Sequence, residues 1–290
     1  MTVKVTRNRE RERQVWKGLV KPFQGNERSL DITHTNVSDL VSWCIRQSYF
    51  KKVYPALDEK EDEDFNNFIR GKSSEYIISN HIFAPEYTSQ ASYMFEGMIK
   101  GHPDLINKET KHVIELKDSN NTYHFTDPRH ERYNSFDTYL TQVLCYMVMS
   151  DAEDGVVLVK HSNSKSILDR IGWKKKIVDK GDTIPLRSYD VHLSMDDPDR
   201  EFIKDNLRLK ATFFLKAVKS KDVRLLPLLK DAKSPESKCG RCPYKEICHH
   251  PDNADSLGSE EMRDILRHDY MTVKLKERGA LEFADLGKLI

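Results

Sequence analysis

The sequence predicts an α/β protein: a mixed sheet flanked by helices, with a cysteine-bearing region that joins N- and C-terminal segments. Three observations predict it. Stretches of helical and of alternating periodicity follow one another as helix, three strands, helix, strand. One of the strands, Ile114-Glu115-Leu116-Lys117, alternates apolar with charged side chains. Three cysteines crowd together at Cys239-x2-Cys242-Pro243-Tyr244-x3-Cys248, and Cys44 stands alone 195 residues before Cys239.

Leu40, Val41, Cys44, Ile45 and Tyr49 recur at helical spacing and predict one helix from Ser38 to about Tyr54, with Cys44 on its apolar face. Between Asp58 and Asp64 lie six acids and one lysine, suited to the positive end of a following helix from about Asp62 into Ile78. Gly71 within it allows another backbone to approach closely. Residues 91–100, 103–106 and 111–117 are β-rich and separated by Gly-His-Pro and Asn-Lys-Glu-Thr, which predicts an antiparallel meander. A helix over Phe136 to Met149 and a strand over Gly155 to Lys160 come next. Strands at 171–178 and 184–194, a long helix at 198–219 and a charged helical tail from Ser259 complete the pattern. The expected division is a basic arm (1–30), a helical part with Cys44 (31–90), the central core (91–195), a helical and cysteine-bearing region (196–250) and a tail (251–290).

At 290 residues, with 38% hydrophobic and 32% charged, the chain is long enough to bury a sizeable core. No apolar run approaches a membrane span, and the opening MTVKVTRNRERERQVWK lacks a secretory signal, so a cytoplasmic protein without membrane contact is expected. The net charge of +1 excludes no partner, because a nucleic-acid groove depends on local charge. Five cysteines in such a protein point to metal before disulfide. Cys145, inside Val143-Leu144-Cys145-Tyr146-Met147-Val148, reads as a small core residue.

Glu115 and Lys117 are two apart on a strand and project from one face. Pro103-Asp104 precedes them, so a hairpin would bring Asp104 within metal-bridging reach of Glu115, and the Leu116 carbonyl would add a main-chain ligand. Carboxylates so placed suit Mg²⁺ or Mn²⁺, which lower the pKa of a bound water and neutralise a phosphate. Lys117 would then orient the water, help to deprotonate it or stabilise developing charge. Alone, the pattern also describes a solvated strand. Flanked by Ile114 and Leu116, though, the charges point inward, which is costly unless they bind something.

Pro103-Asp104 and Glu115-Leu116-Lys117 together resemble the signature of the PD-(D/E)XK nuclease superfamily, which implies a restriction-endonuclease-like core and a hydrolase of phosphodiester bonds. Gln142-x3-Tyr146, on one face of the next helix, is similar to a helix of the RecB-like branch. The resemblance implies that Gln142 meets the lysine region or DNA and that Tyr146 supports the wall. The branch also carries Gly-x3-His on an upstream helix, with the histidine a metal ligand. Here the register is Gly71 to Glu75, so glutamate replaces it; Glu75 ranks above His81 as the third ligand.

The cysteine spacing lets two thiolates face one centre, with Cys44, His249 or His250 available as the fourth donor; Cys3His suits Zn²⁺, four thiolates either Zn²⁺ or [4Fe–4S]. The arrangement resembles the iron–sulfur RecB-like nucleases, among them the fourth CRISPR-associated protein family, the AddB nuclease domain and exonuclease V. That resemblance implies a [4Fe–4S] cluster on Cys44, Cys239, Cys242 and Cys248, structural in role and preferred over zinc. A clasp across so long a loop removes on the order of 4–5 kcal/mol of unfolded-chain entropy. The implied activity is a DNA nuclease, an exonuclease on single-stranded DNA or single-stranded ends, with a CRISPR integrase or a helicase as possible partners. Arg46, Tyr49, Phe50, Lys51, Lys52, Tyr54 and Tyr123 are candidates for phosphate and base contacts. The rival expectation is a catalytically silent nucleic-acid-binding or scaffold module with a zinc or iron–sulfur site.

Overall fold

A computed structural model describes residues 9–21, 30–57, 62–119, 135–161, 186–228, 239–240, 242–254 and 256–282. The expected strand at 171–178 and Tyr123 lie outside them.

The centre of the fold is a five-stranded mixed sheet. In spatial order its strands are β2 (Tyr87–Ser89), β5 (Leu105–Asn107), β6 (Val113–Ser119), β7 (Asp154–His161) and β8 (Leu186–His192). β5 and β6 form an antiparallel hairpin around Asn107, whose side chain accepts the N–H groups of Glu109 and Thr110. β6 and β7 run parallel, Glu115 beside Val157 and Lys117 beside Val159. Parallel neighbours need a long crossover, and α5 (Ser135–Ser150) lies on it. Val143, Met147, Val157 and Val159 are fully buried, consistent with α5 packed on the sheet. A side chain at Gly155 would strike Val143 and Met147, so glycine permits this approach.

The expected meander is corrected at its start. Residues 91–100 are not one strand but the hairpin of β3 (Tyr93–Phe95) and β4 (Ile99–Gly101). Glu96 and Gly97 both take positive φ (48° and 65°), which turns the chain between them. β4 pairs parallel with β1 (Thr35–Asn36), so this hairpin belongs to a separate three-stranded sheet.

The helix expected over Ser38 to Tyr54 is broken. α2 (Val37–Leu40) opens with a capping box between Asn36 and Asp39 and stops at Val41; α3 (Ile45–Val53) then starts from Cys44 in extended conformation. The Ser42 hydroxyl bonds the Asp39 and Cys44 carbonyls, offering the backbone an alternative to helix between them. Cys44 is therefore an N-cap residue at a helix end, not a member of a continuous apolar face.

α1 (Arg9–Val20) is joined to α4 (Asp62–Ile77) by the Trp16 indole N–H on Asp62 at 2.9 Å. α4 continues into a π turn at Ile78–Ile82. Gly71 admits no neighbouring backbone: a Cβ there would meet nothing within 4 Å, and the residue borders an open cleft. The long helix α6 (Asp199–Ser220) packs Ile203, Leu207, Ala211, Phe214 and Val218 into the core. α7 (Lys245–His249), α8 (Pro251–Ala254), α9 (Glu260–Ile265) and α10 (Tyr270–Glu277) follow, and α10 adds Met271 and Leu275 to that core. Among the described residues no helix is long and apolar enough to cross a membrane.

Candidate metal and thiolate sites

β6 sets the geometry of the first site. Its alternation turns Val113, Glu115 and Lys117 to one face and Ile114, Leu116 and Asp118 to the other. Glu115 is 1% exposed. One of its oxygens accepts from Lys117 Nζ, and the other, Oε2, is buried without a hydrogen-bond partner. Asp104 sits just before β5 and reaches across the hairpin, its Oδ2 accepting the Leu116 N–H at 2.8 Å.

Glu75 joins them from α4. Gln90 Nε2 donates to Glu75 Oε1 at 2.9 Å and to Asp104 Oδ1 at 3.4 Å, linking the two carboxylates. Lys72 pairs with the other oxygen of Glu75 at 2.5 Å. His81 is not brought to this group. It lies on the π turn, exposed, its ring edge-on to Tyr76 at 6.0 Å.

The electrostatics follow from burial. Desolvation pushes the Glu115 carboxyl up to about 8, against the pull of Lys117 and with the help of Asp104. Asp104 is raised for the same first reason, although Lys117 and the Leu116 N–H oppose it. For Lys117, burial alone would lower the ammonium, but the charges of Glu115 and Asp104 outweigh it and raise it. Lys117 Nζ also lies 5.5 Å from the centre of the Tyr139 ring, a cation–π contact. Tyr139 was missed in the sequence, although it falls three residues before Gln142 and seven before Tyr146, on their helical face. Gln142 itself donates to the Tyr146 hydroxyl at 2.9 Å. Tyr146 is buried, and burial and the Glu115 charge both hold its hydroxyl strongly against ionisation.

On the opposite face of β6, Asp118 accepts from Arg70 Nε (2.8 Å), Ser74 Oγ (2.7 Å) and Lys160 Nζ (2.9 Å). This fastens α4 to β6 and β7 next to Glu75. A cleft of about 200 Å³ opens there, bordered by Gly71, Lys72, Glu75, Leu116, Lys117 and Lys160.

The second site gathers Cys44, Cys239, Cys242 and Cys248, all free thiols, around one small cavity. Main-chain bonds from Cys242 N to Cys239 O (3.2 Å) and from Lys245 N to Cys242 O (3.1 Å) shape the turn. Tyr244, between them, stacks on Phe50 of α3 with centroids 5.4 Å apart. Burial, and then the neighbouring thiols, push Cys44 up to about 11. His249 borders the same cavity, whereas His250 pairs with Asp252 at 3.3 Å. Cys145 lies apart, fully buried in the hydrophobic core. Arg46, Tyr49 and Phe50 are 0%, 1% and 2% exposed, so they face the interior and cannot contact phosphates or bases as expected.

The donor chemistry differs between the two places. Buried carboxylate oxygens, one lacking a partner, suit a hard divalent cation; four thiols around one cavity suit zinc or an iron–sulfur cluster. Among the described residues no three His, Cys, Asp or Glu side chains stand together as a ready-made cage. In the first site Lys117, Gln90 and the Leu116 N–H already hold the other carboxylate oxygens.

No family model matches the chain, and no curated protein matches it. Eleven chains of solved structures do. One is SSO0001, with 15% identity, 83% of this chain and 96% of that chain covered, and a TM-score of 0.48. A phage-related exonuclease from Haemophilus somnus 129PT has 11% identity, coverages of 61% and 82%, and a TM-score of 0.39. An alkaline exonuclease (LHK-Exo) from Laribacter hongkongensis has 12% identity, coverages of 72% and 93%, and a TM-score of 0.41. These likenesses are distant, and the functional reading of the chain rests on its own residues.

Proposed function

We propose that this protein is a metal-dependent deoxyribonuclease with a PD-(D/E)XK core, an exonuclease on single-stranded DNA or single-stranded ends, with a structural [4Fe–4S] cluster. One observation carries the catalytic reading: the buried Glu115 presents an unpartnered oxygen beside Lys117 and next to Asp104. A carboxylate so desolvated is costly unless a cation meets it. Asp104, Glu115 and the Leu116 carbonyl, with Glu75 as third side chain, would hold Mg²⁺ or Mn²⁺. Such an ion supplies a nucleophilic water near neutral pH and neutralises the scissile phosphate.

The chain's own residues account for the rest. Water gives up a proton as it adds to phosphorus, one P–O bond breaks, and the departing nucleoside oxygen takes up a proton, so the proton count is unchanged. Lys117, a cation fixed by Glu115 and Tyr139, orients the water and stabilises charge growing on the phosphoryl oxygens. Tyr146 and Gln142 form the wall beside the carboxylates. Cys44, Cys239, Cys242 and Cys248 hold the cluster, which fastens the N-terminal helices to the C-terminal segment. The preference for single-stranded ends, and a CRISPR integrase or a helicase as partner, rest on the resemblance of the motifs.

The test uses protein expressed without oxygen and labelled single-stranded and duplex DNA with Mg²⁺ or Mn²⁺. The expected result is broad absorption near ~400 nm, characteristic of thiolate-ligated iron–sulfur centres, with ion-dependent cleavage that Glu115→Ala abolishes. A colourless protein that binds but cleaves neither substrate would replace this reading with the silent binding module.

A further inference from the structure

α4 carries a glycine that its packing does not require. Gly71 stands in the interior of this 16-residue helix, where glycine is weaker than alanine. Among the described residues a Cβ added there would meet nothing within 4 Å, so no neighbour demands the small residue. What a side chain would enter is the cleft of about 200 Å³ beside the carboxylates, which Gly71 borders. Phe68, Gly71 and Glu75 follow one another at intervals of three and four and so share one stripe of the helix. The glycine therefore leaves a notch between an aromatic ring and a candidate metal ligand, over about 10 Å of helix axis. Phe68 is 44% exposed, and with Ile78 and Leu116 it lines the cleft with apolar surface. Lys72 lines it too, and keeps 57% of its side chain exposed although it pairs with Glu75. A flat apolar wall, a notch, a cation and the carboxylates thus succeed one another along a single groove.

We infer that this cleft seats one unpaired nucleotide next to the scissile phosphate, with its base against Phe68 in the space that Gly71 leaves and its phosphate on the Lys72 side. The inference rests on the nuclease part of the proposed function and adds a substrate subsite to it. The cleft is smaller than the ~300–1,000 Å³ of a site for a drug-sized ligand, so it takes one unit of a strand and no base pair. A base enters only when its partner strand is absent, which gives unpaired ends a steric advantage. Every base has a flat face, so stacking on Phe68 accepts all four. Phe68 and Lys72 are binding residues, and Gly71 acts by the room it leaves.

The test uses the full chain, expressed without oxygen, and end-labelled single-stranded oligonucleotides with one abasic residue at an internal position, cut in Mn²⁺. In the native protein, cleavage of a bond flanking the abasic residue is expected to slow about 10-fold, the scale of one base stacked on an aromatic ring. F68A is expected to raise KM for the intact strand by about 10-fold and to show no pause at the abasic residue. F68W, which keeps a flat ring, should restore both. G71L fills the notch and is expected to raise KM likewise and to lose the pause, with a melting temperature no lower than that of the native protein, since leucine favours helix over glycine. Should one variant fail to fold, the other still reads the subsite, and the pause in the native protein is read without either. No pause in the native protein, or native KM and pause in G71L or F68A, would overturn the subsite while leaving the nuclease in place. A native protein that cuts no DNA would remove both.

Discussion

Leu116 donates its main-chain N–H to the carboxylate of Asp104 at 2.8 Å, just beyond the last paired residues of β5 and β6, Leu105 and Ile114. A strand residue turns its N–H and C=O to the same edge, so the Leu116 carbonyl also faces the carboxylate side. Asp104 thus extends the ladder with a side chain and marks where a cation would find a main-chain oxygen. D104N keeps an acceptor for that N–H but loses the charge; D104A loses both. Both variants are expected to cut DNA at least ~100-fold more slowly, the scale of a single electrostatic group in a site. D104A alone should lose about 1 kcal/mol of stability in urea unfolding, one hydrogen bond's worth. Equal stabilities would mean that the bond contributes nothing to the fold.

Glu115 and Lys117 should behave as one unit. Above about pH 8, where Glu115 is ionised in the native protein, Lys117→Met removes the cation that pairs it and is expected to destabilise the protein by about 3 kcal/mol. Adding E115Q to that variant should recover much of the loss. A double-mutant cycle at fixed pH measures the coupling, and additive losses would show that the two side chains are independent.

The raised carboxyl of Glu115 gives stability a pH dependence of definite sign. Below about 4.5 the group is protonated in both folded and unfolded chains, and its contribution is fully present. As pH rises from about 4.5 to about 8, the unfolded chain releases the proton and the folded chain retains it, so stability falls and then levels off. The difference in unfolding free energy between native protein and E115Q, measured in EDTA from pH 4 to 9, should decline across that window. A flat difference would indicate an ionised carboxylate throughout.

Asp118 projects from the face of β6 opposite Glu115, and it fastens α4, and with it Glu75, through Ser74 and Arg70. D118N is expected to weaken Mn²⁺ affinity several-fold and to cost about 1–3 kcal/mol, since bonds to charged donors are replaced by weaker ones. Isothermal titration with Mn²⁺ reads the first effect. Unchanged affinity in a destabilised variant would confine Asp118 to holding the helix.

Cys44 and Cys242 are predicted to be equivalent ligands. C44S and C242S should bleach the visible absorption to the same extent, whereas C145S, in the core, should leave it intact. Full colour in C44S would transfer the fourth position to His249, which borders the same cavity.

Much of the candidate site was legible because its residues obey strand and helix periods. Glu115 and Lys117 are two apart on β6, Gln142 and Tyr146 four apart on α5, and the cysteine spacing speaks for itself. What escaped was set by partners distant in sequence. Gln90, with positive φ in a loop, bears no local sign that it will bridge Glu75 and Asp104. Arg46 reads as a surface cation among Lys51 and Lys52 until Leu226, Asn253 and Ser256 close over it. Tyr139 resembles ordinary core filling in an apolar helix. The break at Ser42 and the hairpin at Glu96-Gly97 were lost to local hydrogen-bonding and φ choices that hydrophobic periodicity does not register.

The enclosure of Arg46 has a consequence for biosynthesis. The acceptors Leu226, Asn253 and Ser256 follow it by 180, 207 and 210 positions. At roughly 5–20 residues per second of translation, a nascent chain waits on the order of ten seconds or more before the first of them leaves the ribosome. Until then this end of the molecule stays open to water and chaperones, so Arg46 is enclosed only once the chain has been made beyond Leu226, whenever the sheet takes shape.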